Sequence, residues 1–386
     1  MGNWDILTYT DLFLFVLISM TVLYMAFFAF ASQLSRHSEV PKAKNQNRFI
    51  ILIPVYKGNK NVEQTVSSIL GQAYPQRLFD VTVISDHSSE MTNFRLAQQP
   101  ITLLTPNFEK SSKAKSLQLA INNLPQFKIY DVVIILDAGN VVEPEFLQQM
   151  NDAYEAAGTL CIQAHRLSQN RDTVTSRLSA IFEEINNSIF RRGHITVGLS
   201  AATAGSGMAF DFEWFRKNIA NTNTNWEDKE LEALLLRQHV YVDYFDNIPV
   251  YDEKTRKAEE FNSERNRWML SQYSTILRNI RYLPKAIIER HYDLIDKILQ
   301  WMLIPRMVLM VIILTMSIVL PFIYMSMALK WWGMFAFVVF IFALATPNYL
   351  VDEKWDATFF KLPLVIVVAV LSRFGYGEKL RKYLNT

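Results

Sequence analysis

No charged residue occurs between Leu12 and Ala31, and that run constrains the fold more than any other feature of the chain. At about 1.5 Å rise per residue it matches the hydrocarbon thickness of a bilayer. A cleaved leader would carry a basic leading segment and a shorter apolar core. Asp5 and Asp11 stand there instead, so a retained transmembrane helix is expected over 1–35. A second uncharged stretch, 307–329, lies between Arg306 and Lys330, and a third, 331–351, follows at once. With only Lys330 and a Trp pair between them, these predict a tight transmembrane hairpin over 307–351, Trp331 and Trp332 at the membrane boundary. The last apolar run, 362–372, is too short to span. It reads as interfacial or re-entrant, within a 352–386 terminus carrying the basic Lys379, Arg381 and Lys382.

Basic residues set the orientation. Arg36, Lys42, Lys44 and Arg48 follow the first span, and Arg281, Lys285, Arg290, Lys297 and Arg306 precede the second. The soluble middle is therefore expected in the cytoplasm, on a multi-pass protein of the plasma (inner) membrane. Residues 269–306 have apolar positions three and four apart with basic residues between, the pattern of amphipathic helices lying on the bilayer. A net charge of +2 gives no global field for nucleic acid. A single cysteine, Cys161, excludes an intramolecular disulfide and fits a reducing compartment; in its apolar surroundings it reads as an inert core thiol.

The middle, 36–268, alternates strand and helix patterns. Residues 48–56 are a short apolar run ending at Pro54-Val55-Tyr56, and 79–86 and 130–137 read as further strands ending at Asp86 and Asp137, with helical periods at 61–73 and 113–124. This is an α/β pattern with a mostly parallel sheet, in which ligands sit at the carboxyl ends of strands. No Walker loop or GxGxxG follows the first strand, which argues against an ATPase or a dehydrogenase, and HExxH, paired CxxC and GxSxG are absent.

In order along the chain, IPVYKGN, VISDHSS, SSKAKSLQLAI, VIILDAGNVVEPEFL, NWEDKELEALLL and SERNRWM resemble the motifs of membrane-bound family 2 glycosyltransferases, the group of the hyaluronan, chitin and cellulose synthases. The resemblance implies a GT-A, Rossmann-like nucleotide-sugar domain over 36–268. It places Pro54, Tyr56, Asp86, Lys113 and Asp137 at the nucleotide sugar, and Asp228 and Arg267 in catalysis. Gln163, Arg166, Gly205, Glu227 and Trp268 fall toward the acceptor, and Asp137 with Asn140 fall to a divalent cation, Mg or Mn. Three positions depart from the pattern: Gly58 stands where the family often has Glu, Glu264 replaces the Gln of QxxRW, and Gly139 replaces the second Asp of DxD. The last removes an oxygen ligand that a hard cation prefers.

The chemistry behind these residue types is direct. A departing diphosphate accumulates charge, which Lys113, Arg267 and a cation would stabilise, Arg by a fork onto phosphate oxygens. An incoming hydroxyl needs a carboxylate to take its proton, the role of Asp228. The expectation is an inverting transfer from a UDP- or GDP-sugar to a membrane lipid or growing glycan, in capsule, exopolysaccharide or other cell-envelope synthesis, with a homodimer or export partner for any extrusion. Glycolipid synthesis, or a non-catalytic scaffold on the same fold, are the alternatives. Taken singly, Asp86 and Asp137 could be turn formers, Asp228 a helix-start acid, and His87 and His165 hydrogen-bonded structural residues.

Overall fold

The computed structural model of the chain describes residues 6–35, 40–58, 61–125, 127–222 and 226–351; the expectations for 352–386 lie outside them. Eight strands form one sheet: β1 (Phe49–Tyr56), β2 (Phe79–Asp86), β3 (Thr102–Leu104), β4 (Val132–Ile135), β5 (Asn140–Val142), β6 (Cys161–Ser168), β7 (Met208–Asp211) and β8 (Val242–Asp252). Their order is β3-β2-β1-β4-β7-β6-β8-β5. The pairs β1–β2, β1–β4, β2–β3 and β6–β8 are parallel, and β4–β7, β6–β7 and β5–β8 antiparallel. The mostly parallel α/β sheet expected from the sequence is what forms.

The apolar run at β1 is continuous because helices cover the sheet on both sides. Phe49, Ile51 and Ile53 pack toward Val62, Val66 and Ile69 of the helix Val62–Leu70. Ile50 and Leu52 turn the other way, toward Leu117 and Ala120 of the helix Lys113–Asn122. These β1 residues are fully buried, each stabilising the fold by roughly 1.5–3 kcal/mol. Pro54 is tolerated within this central strand because the β4 ladder ends at the Leu52–Ile135 pair. Its missing N–H therefore faces no partner.

β4 stops at Ile135, two residues earlier than the apolar run suggested. Asp137 sits past the ladder in a turn closed by the Asn140 N–H on its carbonyl at 3.0 Å. That frees the Asp137 side chain at the carboxyl edge of the sheet.

Two described helices are long and apolar enough to cross a membrane, Thr8–Gln33 and Met325–Ala345; Tyr292–Met302 and Arg306–Phe322, bent by 51°, would make a third if taken as one. The hairpin turns at Leu320–Phe322, where Pro321 interrupts the helix Arg306–Val319, and not at Lys330. Lys330 lies inside Met325–Ala345 and pairs with Asp11 of the first helix. Trp331 is fully buried, its Nε1 donating to Asp11 at 2.7 Å, so it is a packing residue rather than a boundary anchor. The boundary expected after Trp268 falls within one continuous helix, Ala258–Asn279. The first helix meets the soluble part closely: a Cβ on Gly193 would overlap the Phe28 carbonyl, and the His194 ring stacks on Phe28 at 3.7 Å.

Candidate active site

Lys113 is the meeting point. It begins the helix Lys113–Asn122 behind the cap Ser112, whose side chain accepts from the Lys115 N–H. A cation there opposes the helix dipole, and neighbouring oxygens compensate. Its Nζ donates to Asp137 Oδ1 at 2.6 Å and to the Gly205 carbonyl at 2.7 Å, and lies 3.3 Å from Glu227 Oε1. Burial alone would push the ammonium down; Asp137 and Glu227 outweigh it and hold Lys113 above the ordinary lysine range.

Glu227 and Asp228 open the helix Glu227–Arg237. The Glu227 side chain is 5% exposed, and burial pushes its carboxyl up to about 7, with the Asp228 charge adding to the effect and Lys113 opposing it. Asp228, half-buried, packs against Gly205: a Cβ placed there would stand 3.7 Å from Asp228 Oδ2. Lys113, Asp137, Gly205, Glu227 and Asp228 thus surround one point, although they are far apart in sequence.

At the same edge, Asp86 ends β2 opposite Tyr56. It is buried, its Oδ1 2.7 Å from His87 Nδ1 and accepting from the Phe108 N–H at 3.3 Å. β2 and β4 flank β1, so Asp86 and Asp137 rise about 10 Å apart by ordinary strand spacing. Tyr56 is exposed, its ring 6.0 Å from that of His87. His165 is held between the Asp246 carbonyl and Glu184, at 2.8 and 2.9 Å, as a structural histidine.

Several expected acceptor and metal residues instead form the floor of the site. Gln163 is fully buried; it donates to the Ser206 carbonyl at 3.0 Å and accepts from the Ala204 N–H at 2.8 Å, shaping the loop that carries Gly205. Arg166 donates to Asp252 at 2.7 Å and to the Ala204 carbonyl at 3.2 Å. Asn140, also fully buried, donates to Asp252 at 3.0 Å while its Oδ1 accepts from the Asp137 N–H at 3.1 Å and from Ser206. The expectation of Asn140 as a cation ligand is thereby corrected, since its amide is spent on the turn. Arg267 and Trp268 are exposed on the helix Ala258–Asn279, and Arg267 forms no ion pair among the described residues.

Gly139 has φ of 99° and its N–H donates to Thr65 Oγ1 at 2.8 Å. A residue with a Cβ is strained at that dihedral, so the second Asp of a DxD pattern does not fit this turn. Among the described residues no three His, Cys, Asp or Glu side chains converge as a metal would need, and one Asp137 oxygen already holds Lys113. The residues present do not make a cation site by themselves.

Asp252, which joins Arg166, Asn140 and Lys254 beneath the site, was not singled out in the sequence. It lies 112 residues from Asn140, and no local pattern marks it. Thr65 and Ser206 escaped for the same reason.

This sheet order, with carboxylates gathered over its carboxyl edge, defines a GT-A glycosyltransferase fold. A family model described as glycosyltransferase like family 2 matches residues 46–271, more than half of the chain, and the chain belongs to that family. The fold is similar to that of the mannosyltransferase PcManGT from Pyrobaculum calidifontis, solved in complex with GDP-Man and Mn2+. The two are 13% identical with a TM-score of 0.53, covering 88% of this chain and 99% of that one. Residues 1–349 of S. aureus TarS align at a TM-score of 0.43 and 12% identity, over 87% of this chain and 90% of that one. No curated protein matches the sequence.

Proposed function

We propose that the chain moves a sugar from a nucleoside-diphosphate sugar to a hydroxyl presented at a membrane, with inversion at the anomeric carbon. One observation carries this: the Lys113 ammonium is held between Asp137 and Glu227, on the carbonyl of the glycine that packs against Asp228. A preorganised cation thus stands beside a carboxylate able to act as base, at the sheet edge where such folds bind ligands.

The nucleoside packs against Tyr56 and Asp86, and the diphosphate faces Lys113. Asp228 removes the proton of the acceptor hydroxyl as its oxygen bonds to the anomeric carbon. The bond from that carbon to the diphosphate breaks on the opposite side, and the charge released there is met by Lys113. Arg267, exposed and without an ion pair among the described residues, is available to close onto the same phosphates. A divalent ion would have to arrive with the diphosphate, Asp137 being its protein ligand. GDP-Man and Mn2+ in PcManGT support a sugar nucleotide as donor.

The apolar helices and the flanking basic residues support a protein of the plasma membrane with its catalytic part in the cytoplasm. Cell-envelope glycan synthesis is the setting this suggests, with elongation of a polymer or decoration of a lipid as the product. The decisive experiment incubates the full chain in detergent with a panel of UDP- and GDP-sugars and measures released nucleotide. Release from none of them, by a protein that is folded, would refute the reading.

A further inference from the structure

The parallel strands β1 and β2 end side by side at Tyr56 and Asp86, and the chain turns left-handed directly after each. Lys57 has φ of 54° and His87 of 56°. Residues with a Cβ seldom adopt that backbone, and they gather at ligand sites where surrounding bonds hold them. Here the Lys57 N–H donates to the Asp86 carbonyl at 2.9 Å, and the Gly58 N–H to Ser88 Oγ at 3.1 Å. The turn thereby seats the His87 ring beside the Asp86 carboxylate and edge-on to the exposed Tyr56 ring.

This pairing decides what the two side chains can offer a ligand. Asp86 Oδ1 already accepts from the Phe108 N–H, and a carboxylate only accepts. Its 2.7 Å contact with His87 Nδ1 therefore places a proton on Nδ1. In the neutral ring Nε2 is then an acceptor, and it has no partner among the described residues. The second Asp86 oxygen has none either, although the Asp86 side chain is only 2% exposed. A carboxylate so buried is costly while one oxygen lacks a donor. The strand end thus presents two neighbouring acceptors beside an aromatic face on which a base can stack.

Two adjacent acceptors call for two adjacent donors. Among the nucleobases guanine has them, N1–H next to the N2 amino group. Uracil has a single N3–H between two carbonyl oxygens, so its hydrogen bond to Asp86 would bring a carbonyl lone pair against Nε2. Cytosine and adenine set their amino group beside a ring nitrogen that itself accepts, and the carboxylate repels it.

We propose that His87 and Asp86 together select guanine, so that under the glycosyl-transfer reading above, on which this rests, the donor is a GDP-sugar. Asp86 Oδ2 accepts from N1–H and His87 Nε2 from the N2 amino group.

The test measures binding of GDP, IDP and UDP to the full chain in detergent at pH 8 by calorimetry. IDP is GDP without the N2 amino group. GDP should bind about tenfold more tightly than IDP, as for a lost hydrogen bond that leaves an acceptor unpaired, and at least about tenfold more tightly than UDP. His87→Gly suits a φ of 56°, so it removes the ring without straining the turn and should bring GDP and IDP within about threefold of each other. His87→Asn, which also tolerates this backbone, should narrow the same gap and guards against loss of folding. Equal binding of GDP and IDP by the wild type overturns the assignment. A GDP–IDP gap that persists in both folded variants also overturns it, by giving the amino group to another residue. UDP binding as tight as that of GDP, with turnover of a UDP-sugar, removes the guanine assignment alone. A folded chain that binds none of the three refutes the glycosyl-transfer reading along with it.

Discussion

Replacing Glu227 by Gln should change how stability depends on pH, in a direction the structure dictates. Burial raises its carboxyl from an ordinary 4.5 to about 7, with Asp228 adding and Lys113 opposing. The proton is therefore bound more tightly in the fold than in the unfolded chain. Stability from this group is complete below about pH 4.5 and is lost as pH rises through 7. At about 1.4 kcal/mol for each tenfold change in acidity, the loss is roughly 3 kcal/mol. The side chain is 5% exposed, so solvent screening does not reduce it much. In a domain of this size that corresponds to very roughly 6–12 °C in melting temperature. Glutamine imitates the protonated acid at every pH, so Glu227→Gln should melt like the wild type near pH 5 and well above it near pH 8.5. Thermal denaturation of the purified chain in detergent at a series of pH values reads this out. If wild type and variant lose the same number of degrees between those pH values, the buried acid is not where the argument puts it.

Asp228→Asn should lower sugar transfer by at least about 10³-fold while nucleotide affinity stays within about threefold, as for a base that acts only in the transition state; calorimetry beside a turnover assay separates the two, and retained turnover would remove the base from Asp228. Lys113→Met should cost about 10²- to 10³-fold in kcat/KM, the usual loss for a preorganised charge, and a small loss would mean the diphosphate lies elsewhere. Mn2+ alone should leave the melting temperature unchanged, because Asp137 shares its carboxylate with Lys113; a clear rise without nucleotide would reveal a protein-held ion. Gly139→Asp should destabilise the chain by about 1–3 kcal/mol at a φ of 99° and should not create metal binding, as chemical denaturation and Mn2+ titration would check.

What could be read without coordinates was whatever local pattern encodes. The run at 49–56 is almost wholly apolar, and 79–86 keeps Phe79, Val81, Val83 and Ile84 among its polar residues, because both faces of those strands are covered; their ends marked the reactive edge. Asp86, Lys113, Asp137 and Asp228 stood out because each sits at a strand end or a helix start, where residue type is locally informative. The apolar segments near both ends were plain for the same reason, since length against a bilayer is a property of the segment alone.

Contacts between distant parts of the chain were decided only by folding. Lys330 interrupts an apolar run and looks like a turn in one dimension, yet its partner Asp11 lies 319 residues away and lets it sit inside a helix. Asn140 and Gln163 looked open to a ligand, and their amides are consumed by Ser206, Ala204 and Asp252 from other strands and loops. Gly139 looked like a lost ligand and is a backbone requirement, visible only in its dihedral. The shared cause is that hydrophobic period and propensity are summed over neighbours in sequence. A polar side chain's role is set instead by which oxygen or nitrogen the fold brings within about 3 Å of it, and the chain does not write that distance anywhere along its length.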